Sequence, residues 1–254
     1  MADLRSRMAA GEMLAGTFLK TASIDIIEVM AKSGLDFVCL DAEHAPFDRA
    51  RLDACLAVAR ALDFPVLVRV PSALPQDILQ VLDAGAVGIV VPHVMDGDAA
   101  AAIAKASRFG PGGRGYAGST RWAGYTTRSM PELLEQSKTE TIVIAQIEDI
   151  EGVDNADAIA ATKGIDGIFL GPADLSVAYG HDHQTSEDLM RAIERVGMAA
   201  KAHGKTYMTF TPNVAKSAEW YERFGFTMFF VASEHSWMLQ GAKSVAEGVH
   251  AIKA

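Results

Sequence analysis

Gly167-Ile168-Phe169-Leu170-Gly171-Pro172-Ala173-Asp174-Leu175-Ser176, or GIFLGPADLS, reads as a short buried strand that stops at Gly-Pro and then presents one carboxylate. The strand part is continuously apolar rather than alternating. That is how a parallel strand covered on both faces looks. Seven further runs share the character: Met13–Phe18, Phe37–Leu40, Val66–Val70, Gly88–Val91, Thr141–Ile147, Thr206–Phe210 and Thr227–Val231. Between them lie helical patterns at Ile24–Lys32, Arg49–Leu62, Gln76–Ala84, Asp98–Ala106, Pro131–Lys138, Gly152–Thr162, Ser186–His203 and Val214–Phe224, with a last one at Ser236–Ile252. Gly34, Gly85 and Gly204 stand where helix C-terminal caps belong.

Eight strands, each followed by helix, predict one α/β domain over residues 1–254, a (β/α)8 barrel. A doubly wound open sheet is the alternative, but its Gly-rich turn after the first strand is missing. The connection Phe109–Met130, FGPGGRGYAGSTRWAGYTTRSM, is long for a compact domain, a length usual for functional or disordered loops. Within it GPGGRG lacks the Lys-Ser/Thr ending of a phosphate-binding loop.

Bulk composition narrows the function. The chain has 254 residues, half of them hydrophobic, enough for a large core. A net charge of −9 argues against nucleic acid or an anionic membrane as partner. No apolar run reaches the roughly 18 residues of a membrane helix, and the opening MADLRSRMAAGEML lacks the apolar core of a signal peptide. Cys39 and Cys55 have no CxxC spacing and read as core thiols in a reducing cytoplasm.

In a barrel, chemistry gathers at the C-terminal strand ends. Those ends carry Phe18 and Lys20; Asp41, Glu43 and His44; Arg69; Pro92 and His93; Gln146 and Glu148; Asp174; Thr209 and Thr211; Ser233 and Glu234. Glu148 and Asp174, on neighbouring strands, suit a hard divalent cation with open or water-filled positions. The structural alternative makes Asp174 a helix cap. Arg69 can hold a carboxylate or oxyanion in its planar fork, or form an ion pair with Asp41 or Glu43. His44 sits in a carboxylate-rich turn and can be read as a general base, a metal ligand or a loop histidine; the adjacent acids, which raise basicity, favour the general base. His181-Asp182-His183 follows Gly180 and reads as a surface loop.

LDAEHAP, LVRVP, LDAGAVGIVVP, GGRGYAGSTRWAGY, QIEDIEGVDNADAI and GIDGIFLGPADLS, in this order, resemble the HpcH/HpaI family of class II pyruvate aldolases over nearly the whole chain. The resemblance implies a barrel of the phosphoenolpyruvate/pyruvate type. It implies reversible cleavage of 4-hydroxy-2-oxoacids, 4-hydroxy-2-oxoheptanedioate being the best-known case, to pyruvate and an aldehyde by way of a pyruvate enolate on the cation. By position, Glu148 and Asp174 become the ligands of Mg²⁺, Mn²⁺ or Co²⁺, with no other protein ligand. Gln146 becomes a substrate contact, and the Ala173 and Asp174 backbone N–H groups hold the pyruvate carboxylate. Arg69 becomes the transition-state stabiliser, His44 the proton acceptor and Asp83 the acid that raises that histidine's basicity. Asp83 ends a helix and precedes a strand, at the barrel face opposite the site, so an Asp83–His44 pair requires a neighbouring subunit; Asp41 is the alternative within the chain. A homo-hexamer, a trimer of dimers with the last helix exchanged, is also implied. Family members often carry Trp where this chain has Phe18, a departure that bears on the acceptor pocket.

Other classes are open. A Schiff-base aldolase needs a lysine inside the barrel, and none lies in a predicted strand; Lys205 precedes a strand and Lys20 follows one. A CoA-ester lyase of the citramalyl or malyl type needs a CoA site. A non-catalytic barrel would bind without turnover.

Overall fold

The computed structural model describes residues 4–252. Its elements run α1 (Leu4–Ala9), β1 (Leu14–Leu19), α2 (Ile24–Met30), β2 (Phe37–Asp41), α3 (Arg49–Ala61), β3 (Val66–Arg69), α4 (Pro75–Ala84), β4 (Gly88–Val91), α5 (Gly97–Ala106), α6 (Met130–Thr139), β5 (Ile142–Ile147), α7 (Ile150–Asp154), α8 (Ala156–Ala161), β6 (Gly167–Leu170), α9 (Pro172–Ala178), α10 (Glu187–Ala202), β7 (Thr206–Thr211), α11 (Val214–Phe224), β8 (Met228–Ser233) and α12 (Glu234–Ala251). The strands pair in chain order as a closed barrel, and β8 returns parallel to β1. The (β/α)8 barrel expected from the apolar runs is the one observed.

Both faces of each strand are buried, in two different cores. Successive side chains alternate in and out. Val38, Leu40, Val66, Val68, Ile89, Val91, Val143, Ala145, Ile168 and Leu170 face outward into the helix layer. Phe18, Phe37, Cys39, Leu67, Val90, Ile144, Phe169, Met208 and Phe230 fill the interior. There Phe230 meets Phe18, Phe37 and Phe169, each at 4.9 Å between ring centroids. Burying a side chain of that size stabilises by about 1.5–3 kcal/mol, so the interior is a packed plug and not a pore. Gly16 makes room for it, since a Cβ there would collide with the Phe37 ring. Leu4 and Met8 of α1 join the interior cluster. Cys39 lies within it, and burial pushes its thiol well up; both cysteines are free and buried, as core thiols should be.

Several elements depart from the sequence reading. The helix expected at Gly152–Thr162 is two helices, divided at Asn155, whose side-chain amide donates to the Met95 carbonyl (2.9 Å). An asparagine that bonds to backbone competes with helix continuation. Two short helices, α1 and α9, are additional. The first three residues of the opening stretch lie outside the described residues.

The long connection is packed, not loose. Arg114 is sandwiched 4.8 Å from the Phe109 and Trp122 rings and paired with Asp83. The Trp122 N–H donates to the Asp83 carbonyl (3.3 Å), and Arg121 reaches Asp53 (2.6 Å) and the Ala84 carbonyl (2.9 Å). The segment is thus anchored at the C-terminal end of α4, on the barrel face away from the strand ends. By contrast α12 is exposed along its length, with only Glu234 buried. Among the described residues no helix is long and apolar enough to cross a membrane.

Candidate functional site

The alternation that fills the barrel also selects what stands at its mouth. Phe37 and Cys39 point inward, so Asp41 does too; Leu67 points inward, so Arg69 follows; Ile142 and Ile144 lead to Gln146 and then to Glu148 just past the strand end. Asp41 and Arg69 are direct register partners on β2 and β3. Their side chains therefore meet as a fork: Arg69 Nε donates to Asp41 Oδ1 (3.0 Å) and Nη2 to Oδ2 (2.8 Å). Arg69 Nη1 also lies 3.2 Å from Glu43 Oε2, and the guanidinium sits 4.6 Å over the Phe18 ring. Burial alone would raise the Asp41 carboxyl, but the hydrogen bond and charge of Arg69 outweigh it and hold it below its usual range. The ion-pair alternative for Arg69 is therefore what the structure shows. It uses two of the five guanidinium N–H donors for Asp41, leaving the Nη1 side toward Glu43 and the mouth.

Asp41 also shapes the turn that follows β2, accepting from the His44 backbone N–H (3.1 Å). The His44 ring is more than half exposed and its Nε2 lies 3.7 Å from Glu43 Oε2. Among the described residues, the carboxylate beside the His44 imidazole is thus Glu43. Asp83 stands at the end of α4, where both of its bonds to Arg114 use Oδ1. Within one chain the structure does not bring Asp83 and His44 together.

Across the mouth, Glu148 is 3% exposed. It accepts from Gln146 Nε2 and from the His93 backbone N–H (3.0 Å). Burial, and after it the repulsion of Asp174, push its carboxyl up to about 7 despite the Gln146 hydrogen bond. Gly171 explains how a carboxylate fits there. A Cβ at Gly171 would stand 2.8 Å from Glu148 Cβ and 3.0 Å from Oε2, so the stop after β6 must be glycine. Pro172 then takes the first helical position of α9, where its missing N–H costs nothing. Asp174 lies in the first turn of α9 and not at its N-cap, which is Gly171. The Ala173 and Asp174 backbone N–H groups sit in that first turn, where no intrahelical acceptor exists.

Two residues went unassigned in the sequence. His93 adopts φ 53°, the left-handed region, and its Nδ1 lies 2.9 Å from Asp149 Oδ2. The hydrogen bond to Asp149 raises its pKa against the opposing effect of burial. Glu234 is 1% exposed and accepts from the Lys20 (2.7 Å) and Thr21 (2.6 Å) N–H groups, tying the loop after β1 to β8. Both stand at strand ends, which was the available signal, but a side chain's partners do not follow from that alone.

The site fits a hard divalent cation. Glu148 is a buried carboxylate whose charge is disfavoured, the Arg69 fork is already occupied, and Gln146 Oε1 is buried with no hydrogen-bond partner. Glu43, His93 and Glu148 offer ligand atoms all within 4.8 Å of one another. Lys20 Nζ is 3.5 Å from Asp41, and Lys205 is bonded to the Ile165 carbonyl (2.7 Å) before β7, so neither stands as an isolated amine in the mouth.

A (β/α)8 barrel with carboxylates, an arginine and histidines at its mouth has groups that a lyase of the aldolase type can use, and the comparisons with known proteins point to that class. The HpcH/HpaI aldolase/citrate lyase family matches residues 14–239, and the chain belongs to that family. A 5-keto-4-deoxy-D-glucarate aldolase of Klebsiella pneumoniae subsp. pneumoniae is 36% identical over 232 residues, 91% of this chain and 90% of its own. The crystal structure of an HpcH/HpaI aldolase/citrate lyase family protein from Burkholderia cenocepacia J2315 superposes with a TM-score of 0.92 at 32% identity, over 98% of this chain and 100% of that one. The citrate synthase SbnG follows with a TM-score of 0.88 at 29% identity, over 100% of both chains.

Proposed function

We propose that the chain reversibly cleaves 4-hydroxy-2-oxoacids to pyruvate and an aldehyde, with Glu148 and Asp174 holding Mg²⁺, Mn²⁺ or Co²⁺. The observation that carries this is Glu148: a carboxylate buried beside a second carboxylate, with no arginine or lysine paired to it among the described residues. A divalent cation there supplies Lewis acidity toward the keto oxygen of the substrate. The relative's name agrees with this substrate class. Numbered from its keto end, 5-keto-4-deoxy-D-glucarate is itself a 4-hydroxy-2-oxo diacid, and it is the first compound to assay.

The chain's own groups divide the work. The Ala173 and Asp174 N–H groups, aided by the positive end of α9, hold the substrate carboxylate. Gln146, already bonded to Glu148 through Nε2, contacts substrate from the barrel side. His44 takes the proton of the C4 hydroxyl. The C3–C4 bond then breaks, its electron pair forms the C2–C3 double bond, and the aldehyde leaves. Arg69 donates through its remaining N–H groups to the oxygen on which charge develops. Protonation at C3 completes pyruvate.

The half-reaction gives the test. In D₂O with pyruvate and one of the three metals, wild-type protein is expected to exchange the methyl protons without any aldehyde, read by proton NMR, and Glu148→Gln is expected not to. No exchange with any of these metals, together with cleavage of a CoA ester, would give the site to the CoA-ester lyase alternative.

The assembly belongs to the same proposal. Met238, Leu239, Val245 and Val249 of α12 are all at least half exposed, an apolar row that its own barrel leaves uncovered. A homo-hexamer built as a trimer of dimers, with α12 packed on a neighbour, covers it. In such an assembly Asp83 reaches His44 of the next subunit. Two inactive variants, Asp83→Ala and His44→Ala, mixed after dissociation and reassembled, are then expected to regain part of the activity, because some mixed sites hold both native residues. No recovery from demonstrably mixed oligomers would leave Asp83 without a role toward His44, and Glu43 or Asp41 would take its place.

A further inference from the structure

The loop after β1 brings a cation to the mouth that the proposed reaction leaves unused. Phe18 faces the barrel interior and Leu19 the helix layer, so alternation returns Lys20 to the inner side. Its Nζ lies 3.5 Å from Asp41 Oδ2. Among the described residues that is its ion pair, and Nζ makes no hydrogen bond. Asp41 Oδ2 is already held by Arg69 Nη2 at 2.8 Å. An ammonium has three N–H donors, and the Lys20 side chain is 35% exposed, so donors remain for a ligand that enters the mouth.

The backbone beneath that side chain is fixed. Glu234, buried at the end of β8, accepts through Oε1 from the Lys20 N–H (2.7 Å) and the Thr21 N–H (2.6 Å). The Thr21 hydroxyl pairs with His235 Nε2 (2.8 Å). A loop held in place beforehand costs less to order when a ligand binds.

Barrel order says which part of a substrate arrives there. In a closed ring of eight strands β1 stands opposite β5, and β2 opposite β6. Glu148 and Asp174 follow β5 and β6. A substrate with its 2-oxoacid end on them runs its chain across the mouth toward β1 and β2. His44, the proposed base at C4, follows β2, so the atoms beyond C4 come to Lys20. Charge points the same way. Asp41 and Glu43 against Arg69 alone leave that side of the mouth net negative, and Lys20 balances it. An anionic group can then approach without repulsion.

We propose that Lys20 is the specificity-determining residue for the aldehyde half of the substrate: it binds a carboxylate carried beyond C4, which makes 4-hydroxy-2-oxo diacids the preferred substrates. The proposal rests on the pyruvate-aldolase reading of the same site.

The experiment compares the condensation of pyruvate with 4-oxobutanoate and with butanal, two aldehydes of equal chain length of which only the first carries a carboxylate. Wild type, Lys20→Met and Lys20→Arg are assayed with Mg²⁺, Mn²⁺ or Co²⁺, and circular dichroism melts confirm folding. Exchange of the pyruvate methyl protons in D₂O, which needs no aldehyde, is followed alongside. Wild type is expected to prefer 4-oxobutanoate, by a margin that added salt reduces. Lys20→Met should lower the ratio of the two kcat/KM values by about 10–100-fold, the range for losing a hydrogen bond to a charged group, and mainly through KM for 4-oxobutanoate. Lys20→Arg should keep part of the preference. An unchanged ratio in Lys20→Met, with exchange still present, makes the lysine a charge balance for Asp41 and overturns the proposal. A wild type that exchanges pyruvate protons but shows no preference for 4-oxobutanoate overturns it as well. Loss of exchange in Lys20→Met places the lysine in the enolate step with Asp41 and Arg69 instead, and again the proposal fails. If wild type exchanges no protons with any of the three metals, the pyruvate reading itself falls and takes this one with it.

Discussion

Chelation is expected to abolish carbon–carbon cleavage by this chain, and Mg²⁺, Mn²⁺ or Co²⁺ to restore it. Polarising a ketone is worth several kcal/mol of transition-state stabilisation, and each 1.36 kcal/mol is about tenfold in rate, so the loss should reach roughly 10²–10³-fold or more. Borohydride added with pyruvate should trap no protein adduct. The two lysines nearest the chemistry by sequence are spoken for: Lys20 lies against Asp41, and Lys205 is bonded to a backbone carbonyl on the entry side of β7. Asp174→Ala should lose metal affinity and activity together. A chelator-resistant enzyme that borohydride traps would overturn the metal reading. Unchanged metal affinity in Asp174→Ala would remove Asp174 from the ligand set.

Arg69→Ala is expected to lower kcat as well as kcat/KM, by about 10²–10³-fold, the range for removing one donor to a developing oxyanion. Arg69→Lys should recover only part, since a point charge cannot reproduce the fork that grips Asp41 while keeping Nη1 free. The structure adds a second consequence. Asp41 is fully buried, and its two oxygens accept from Arg69. Removing either partner takes away the forked contact and leaves the remaining buried charge only its longer one, Asp41 to Lys20 (3.5 Å) or Arg69 to Glu43 (3.2 Å), at a cost of up to about 3–5 kcal/mol in stability. Asp41→Asn should therefore lower the melting temperature, and, because Asp41 also accepts from the His44 N–H, loosen the turn that carries the proposed base. A rise in KM alone on Arg69→Ala would make Arg69 a uniform binding group. Comparing both variants at a temperature where both are folded separates stability from catalysis.

The eight apolar runs were legible because period and composition are local properties. Strands buried on both faces have no polar side to show, whichever sheet they join, and their count with intervening helices leaves little but a closed barrel. The strand-end chemistry was legible for the same reason: once the strands are known, the residue after each one is known. GIFLGPADLS illustrates both halves. Its strand, stop and carboxylate could be read directly, but the reason for Gly171 could not, because the atoms it makes room for belong to Glu148 on another strand.

By itself the sequence determined the barrel, the mouth residues Asp41, Arg69, Gln146 and Glu148, and the family motifs that run through them. Local patterns carry that information, since side-chain alternation along a strand is set by the backbone. Only the tertiary structure decided how those residues pair. It gave Arg69's fork to Asp41, set Glu43 beside His44, anchored the long Gly-rich connection on the opposite face against Asp83, left the apolar row of α12 uncovered, and turned His93 through a left-handed backbone toward Glu43 and Glu148. These are contacts between segments far apart in the chain. They depend on strand register and barrel closure, and no stretch of sequence read alone contains either.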